Sequence, residues 1–414
     1  MTEKKLPVGW EEKKLGEYLY LKNGYAFKRS AYIEKSNNSV PIIRISDING
    51  NTASDELAIH TTEKVEGFEL QKGDLLIAMS GATTGKLGIY IGNTPAYQNQ
   101  RVGNLKLKNE GCEEFRNHLM FYLQDEVRKL GYGNAQPNIS GKMLEDLDIV
   151  LPPLPEQQKL AQKFTELLSM VDHMKQKLER IPLLLKTYRQ AVLVKAVSGE
   201  LSSKWREENK ISRTSWKNTK VEDISTVTPK KDKISDDLTV SFSSMHLMSE
   251  NINQHLNFEK KLWNEVKKGF SFFKNGDVLL AKITPCFENG KSAVARNLIN
   301  GIGTGSTEFM VFRPNSELLS DFLYLHFNTD KFRQEGSMNM TGSVGHRRVP
   351  KEFVLNWEIE LPPREEQKFI VQQVEELLNF AEKLEQQAQQ ALAKVNLLKQ
   401  AILAKGFRGE LMME

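Results

Sequence analysis

"LPPLPEQQKLAQKFTELL", residues 151–168, returns 210 residues later as "LPPREEQKFIVQQVEELL", residues 361–378. The correspondence runs without a gap to "RQAVLVKAVSGEL" (189–201) and "KQAILAKGFRGEL" (399–411). Roughly a third of the paired residues are identical, against ~5–6% for chance pairing at ordinary residue usage. The chain therefore contains a duplication, and the duplicated piece decides the architecture.

That piece reads as helix. Pro152-Pro153 and Pro362-Pro363 hold the lead-in extended, because a residue before proline is pushed out of the α region. Apolar residues then recur at steps of four and three. The first copy gives Leu160, Phe164, Leu167, Val171, Met174, Leu178, Ile181, Leu185, Tyr188 and Val192. The second gives Ile370, Val374, Leu377, Ala381, Leu384, Ala388, Ala391, Val395, Leu398 and Ile402. More than four heptads of such a seam predict a coiled coil in each copy. At 1.5 Å per residue, Leu160 to Val192 spans about 50 Å. Pro182 removes one backbone bond and predicts a kink. Gly199 and Gly406/Gly409 mark the C-terminal ends. Small residues in the second seam (Ala381, Ala388, Ala391) against large ones in the first (Met174, Leu178, Leu185) predict an antiparallel pair. Each helix seeking a separate partner chain is the alternative.

The stretches between the helices repeat more faintly. Trp10 and Trp216 each open a segment. "PIIRISDI" (41–48) corresponds to "VSFSSMHLM" (240–248), and "FELQKGDLLIAMSGATTGK" to "FSFFKNGDVLLAKITPCFENGK", anchored at Gly73-Asp74 and Gly276-Asp277. Each half continues into one helix, "EEFRNHLMFYLQDEVRKLG" or "LLSDFLYLHFNTDKFRQEG", then a polar loop, "GNAQPNISG" or "TGSVGHRRVP". The expected layout is α+β: a mixed α/β half over 1–152, a long helix over 153–205, a second half over 206–360 and a second helix over 361–414.

Composition narrows the function. The 414 residues carry a formal charge of +4, 27% charged and 39% hydrophobic residues, and two cysteines, Cys112 and Cys286. No apolar run nears the ~20 residues of a membrane span, and no secretory leader is visible. Two isolated cysteines predict free thiols in a reducing cytoplasm, with neither disulfide nor zinc site.

Catalytic motifs fail one by one. "SGATTGKL" (80–87) would be a phosphate loop, but Ser80 replaces the first required glycine and Leu87 the Mg²⁺-binding hydroxyl. The seven histidines (60, 118, 173, 246, 255, 326, 346) show no metal-binding spacing, and no serine sits in G-x-S-x-G. "NTPAY" at Asn93 is a poor echo of an amino-methyltransferase clamp, and Glu-x-Lys pairs arise freely in such a composition. No catalytic or metal residue is assigned; a binding device is expected.

Two diverged halves on rigid helices suit DNA, for which ~50 Å is about 15 base pairs. Candidate contacts in the first half are Lys28, Arg29, Arg44, Ser80, Thr83, Thr84, Lys86, Gln98, Gln100, Arg101, Asn134, Gln136, Asn138 and Lys142. Those in the second are Lys230, Lys231, Ser243, His246, Lys282, Lys291, Thr304, Thr307, Ser343, His346, Arg347 and Arg348. Asn and Gln can read adenine edges and Arg guanine, while Lys, Ser and Thr hold phosphates.

"IVLPPLPEQQKLAQKF", "RIPLLLKTYRQAVLVKAVSGELS" with "KWR", and "ELPPREEQKFIVQQVEELL" with "LAKVNLLKQAILAKGFRGEL" resemble the specificity subunit of type I restriction–modification enzymes; "GDLLIAMSG" and "NISGKML" add to the likeness. The resemblance covers essentially the whole chain. It implies two target recognition domains, each reading one part of an asymmetric bipartite DNA site, with the helices setting the unread gap. It implies a non-catalytic subunit that joins two methylase subunits and, through them, restriction/translocase subunits. The chain itself would hold no cofactor: S-adenosylmethionine would sit on the methylase, and ATP and Mg on the restriction subunit. Glu156, Gln157, Glu366 and Gln367 are the implied helix-start contacts to the methylase, although acidic residues there also complement the helix dipole. The second copy has Glu365 where the first has Pro155, so the two docking sites need not be identical. A coiled-coil scaffold, or a partner-binding decoy without DNA readout, is the competing expectation.

Overall fold

The computed structural model describes residues 6–92, 95–132, 137–252, 256–343 and 345–412. Two compact units emerge: one joins Met1–Lys177 to Ala391–Glu414, and the other is Leu178–Gln390. Both long helices form, over Leu154–Val197 and Arg364–Phe407, and each contributes residues to both units. Pro182 lies inside the first without ending it.

Within each unit the helix segments run antiparallel. In the first unit Phe164 packs on Phe407 and Asp172 pairs with Lys399, so eight residues forward on one helix is eight back on the other. In the second, Arg189 meets Glu385 and Arg206, beyond the helix, meets Glu366. The seams are buried under the globular core at Leu160, Phe164, Val192, Ile370 and Val374, and beyond it at Val171, Leu185, Ala381, Ala388 and Val395. Met174, Leu384 and Leu398 are at least 36% exposed, because a seam facing one partner helix is covered on one side only. Gly409 ends the second helix with φ +77, matching Gly199 at +76. Gly406 is different. It lies inside the helix, where a Cβ would come within 2.1 Å of the Phe164 ring, so it permits close packing and is no cap.

The globular parts repeat strand for strand. A two-stranded antiparallel pair closes each, Glu11–Lys14 with Asp148–Leu151 and Lys217–Lys220 with Glu358–Leu361. One sheet of the first unit runs Ile59–Thr61, Val40–Ile43, Ala96–Gln98, Glu69–Leu70; its counterpart runs Glu259–Leu262, Thr239–Ser243, Ile302–Gly305, Ser271–Lys274. Both hold one parallel pairing at the same place, between the second and third strands. The other sheet runs Leu19–Asn23, Val102–Leu107, Leu75–Ala78, Leu87–Tyr90, and in the second unit Ser225–Val227, Phe309–Pro314, Val278–Ala281, Ser292–Val294. The first unit extends it with two short strands, Thr52–Ala53 and Ile48–Asn49.

The Gly-Asp anchors have a physical reason. Gly73 and Gly276 take φ of +96 and +89, which glycine adopts without strain. The aspartate next to each closes the turn with its side chain, accepting from Gln71 N at 3.0 Å and Lys274 N at 2.8 Å. Lys106 and Asn104 hold Asp74, and Arg313 grips Asp277 with two bonds of 2.7 Å. Each expected single helix is in fact two: Glu113–Tyr122 and Gln124–Tyr132, then Ser320–Phe327 and Asp330–Met338. Both cysteines are free.

Candidate nucleic-acid interface

Backbone pairing gathers three of the candidate segments of each half at one place. In the first unit Met79 N donates to Arg101 O and Ile139 N to Met79 O, at 2.9 and 2.8 Å. Ser80 bridges to Asn138. These bonds join the turn after Leu75–Ala78 to the residues around Arg101 and to the polar loop ending at Lys142. In the second unit Lys282 N donates to Glu308 O and Val349 N to Lys282 O, both at 2.9 Å, and Ile283 bridges to Arg348. The two schemes superimpose bond for bond. Arg101 thus occupies the position of Glu308, and Asn138 that of Arg348.

Several candidates, at the junctions and away from them, are open to solvent. Lys28, Arg29, Gln100, Arg101, Asn138 and Lys142 are exposed in the first unit, and Lys230, Lys231, His246, Thr307, Ser343, His346 and Arg348 in the second. Arg44 is half-buried and pairs with Asp47. Lys86 Nζ reaches Asn49 Oδ1 at 3.4 Å, Lys291 Nζ reaches Met245 O at 3.1 Å, and Lys282 is half-buried. Asn134 and Gln136 lie outside the described residues, as do His255 and Asn93.

Other candidates point inward and are corrected. Thr84 is buried and donates to Gly81 O at 2.7 Å, closing its own turn. Gln98 is buried and donates to Lys22 O at 2.8 Å. Ser243 is buried with its hydroxyl on Asn257 O, and Thr304 is buried inside the sheet. The Ser80 and Thr83 hydroxyls are covered as well, so of the four residues expected to face DNA from this turn, only Lys86 offers its polar group. Arg347 is half-buried and donates to Ser337 O and Met340 O, which makes it a brace at a helix end.

The helix-start residues are corrected too. Glu366 and Gln367 are fully buried and Gln157 nearly so, so their side chains cannot face a partner. They latch the helix to its own globular half. Glu156 accepts from Trp10 Nε1 at 2.6 Å and Glu366 from Trp216 Nε1 at 2.9 Å. Gln157 and Gln367 each donate back to the proline carbonyl at the lead-in, Pro152 O and Pro362 O, both at 2.9 Å. Their Oε1 atoms accept from the globular side, Gln157 from Tyr18 and Cys112 N, Gln367 from Leu319 N. In the second unit Arg206 and Ser202 add bonds of 2.6 and 2.7 Å to Glu366, and the Arg213 guanidinium lies 3.6 Å over the Trp216 ring. The two tryptophans at matching places are the trace of this latch in the sequence; their carboxylate partners carry no local signal.

The charge pair at the second junction is Glu308–Arg348, with Nε on Oε2 at 2.9 Å and Nη2 on Oε1 at 2.8 Å. Arg348 holds the Glu308 carboxyl below its ordinary range, and Glu308 raises the Arg348 guanidinium in return. Glu308 was not among the sequence candidates. The matching backbone bonds, Met79 N to Arg101 O and Lys282 N to Glu308 O, are what bring it level with Arg101, and the sequence spacing does not.

The family model "Type I restriction modification DNA specificity domain" matches residues 7–183 and again 214–394. The chain belongs to this family. It carries two copies of the specificity domain, each containing one junction and one Trp–Glu latch. The chain is 29% identical over 412 residues to the EcoBI specificity subunit of Escherichia coli, covering 94% of this chain and 83% of that protein. To the StySPI specificity subunit of Salmonella potsdam it is 28% identical over 432 residues, covering 99% and 91%. The EcoAI specificity subunit of Escherichia coli is 42% identical over 174 residues. The chain spans under a third of the length of the EcoAI and EcoEI subunits it matches, 30% and 32%. The HsdS subunit from Thermoanaerobacter tengcongensis shares the fold at TM-score 0.64 and 18% identity, over 99% of each chain. A chain from a structural study of assembly and conformational transition in the type I R-M system does so at TM-score 0.69 and 18% identity, over 98% of this chain and 99% of that one. Both specificity domains thus sit in a fold seen before, while their loops differ from one another in chemistry.

Proposed function

We propose that this chain is the specificity subunit of a type I restriction–modification complex. Each specificity domain reads one part of an asymmetric bipartite duplex site, and the chain docks two methylase subunits and, through them, restriction/translocase subunits. The observation that carries this reading is the pair of family matches over two halves whose backbone schemes agree and whose loop residues do not. A duplicated frame with diverged side chains suits a reader of two different sequences.

Methyl transfer belongs to the partner, with S-adenosylmethionine there and ATP and Mg on the restriction subunit; this chain supplies recognition inside the cytoplasm. No described helix is long and apolar enough to cross a membrane. The helix-start side chains serve the latch, so methylase contact falls to the outward helix faces. These carry Met170 and Leu397 in the first unit and Leu183, Leu184 and Phe380 in the second.

The test is methylation sequencing of cells carrying this chain with its methylase, together with duplex binding by the purified complex across salt. One bipartite adenine-methylated motif and a steep loss of affinity with salt are expected, because phosphate contacts release counterions. Salt-insensitive binding with no methylated motif would leave the scaffold reading in its place.

A further inference from the structure

Arg348 is the most firmly positioned exposed cation at the second junction. Its backbone bridges Thr341 on one side and Ile283 on the other, with Arg348 N on Thr341 O at 2.8 Å and Thr341 N on Arg348 O at 3.0 Å. Its side chain is 44% exposed, and Glu308 grips it along one edge through Nε and Nη2. Nη1 donates to His346 O at 3.1 Å.

A guanidinium has five N–H groups in a plane. Among the described residues three are committed, two to Glu308 and one to His346 O, which leaves one on each terminal nitrogen. Guanine presents two adjacent acceptors, N7 and O6, in the major groove, and a two-donor arginine fork matches them. A carboxylate among cationic loops that face phosphates costs repulsion, and its use is to hold that fork in one orientation before DNA arrives. The first unit carries Asn138 and Arg101 at the same two positions, as expected of slots that vary while their frame does not.

We propose that Arg348, braced by Glu308, reads a guanine through the major groove in the half-site of the second specificity domain. Arg348 is the base-reading residue and Glu308 a positioning residue. The inference rests on the DNA-reading function proposed above.

The test is methylation sequencing with the full chain and its methylase, comparing the wild type with Arg348→Lys, Arg348→Ala and Glu308→Gln. Arg348→Lys keeps the charge and loses the fork, so it carries the test even where Arg348→Ala fails to assemble. The expected result is a guanine in one half of the wild-type motif whose preference falls about tenfold in Arg348→Lys, with every other position unchanged. Glu308→Gln should relax the same position to a smaller degree while total methylation persists, which a merely structural role would not produce. The inference is overturned if Arg348→Lys keeps full selectivity, if the relaxed position is not guanine, if both halves relax, or if all three variants lose methylation uniformly. A wild-type complex that marks no bipartite site would instead bring down the function on which the inference rests.

Discussion

Glu366 Oε1 lies 2.6 Å from Arg206 Nη1, and the two side chains are 0% and 11% exposed. Trp10–Glu156 in the other unit repeats the tryptophan bond without a matching arginine among the described residues. Removing one partner of a buried ion pair costs about 3–5 kcal/mol, because the other charge stays buried and unpaired. Glu366→Ala should therefore destabilise the second unit by about that amount. Glu156→Ala forfeits a single hydrogen bond to a charged group and should cost about 1.5 kcal/mol. Urea unfolding of both variants checks the order; equal losses would mean that Arg206 adds nothing.

Gly406 sets two principles against each other. In an open helix, glycine to alanine gains about 1 kcal/mol. Here the added Cβ meets the Phe164 ring, which is fully buried and packs on Phe407. Overpacking of this kind costs about 1–3 kcal/mol. Gly406→Ala should lower the thermal midpoint; a rise would show that the ring moves aside.

His326 is buried edge-on to Phe322, and its Nε2 has no hydrogen-bond partner among the described residues. Burial pushes its pKa down from 6.5 to about 3. The unfolded chain therefore takes up a proton below pH 6.5 that the folded chain refuses, and stability falls as pH drops from there toward 3. One such group contributes at most about 1.4 kcal/mol per pH unit. In His326→Leu this component should vanish. Unfolding measured at about pH 7, 6 and 5, a range across which the histidine of the unfolded chain becomes charged, should show wild type losing stability faster than the variant. Parallel curves would refute the assignment.

Lys86 and Arg101 belong to the same junction, and Lys86 is the residue of its turn whose polar group is not covered. Each lost phosphate contact should lower the salt slope of duplex binding by about one unit. Lys86→Ala in the methylase complex should weaken binding alike on matched and mismatched duplexes. Binding titrations at several salt concentrations check this, and a change in preferred sequence would instead mark Lys86 as a base reader.

Several elements were plain in the residues alone. The seam from Leu160 and its copy from Ile370 predict both long helices, since apolar spacing is a local signal and the second copy repeats it. Gly73-Asp74 and Gly276-Asp277 predict a shared turn because glycine alone takes that φ freely and the neighbouring aspartate closes it from its side chain. The side on which a polar residue is satisfied was not legible. Thr84 and Lys86 are two residues apart in one turn, yet Thr84 is buried on Gly81 O while Lys86 reaches outward to Asn49. Glu366 suggested a docking charge, but it is consumed by Trp216 and by Arg206, 160 residues away.

By itself, then, the sequence determined the duplication, the long helices and the strand-and-turn grammar of each half, all of which depend on periodicity and on single-residue backbone preferences. Tertiary structure alone decided which polar groups remain for a partner. A serine, glutamine or glutamate can satisfy its hydrogen bonds inside the protein as well as outside, and only long-range pairing, such as Met79 with Arg101 or Lys282 with Glu308, determines which.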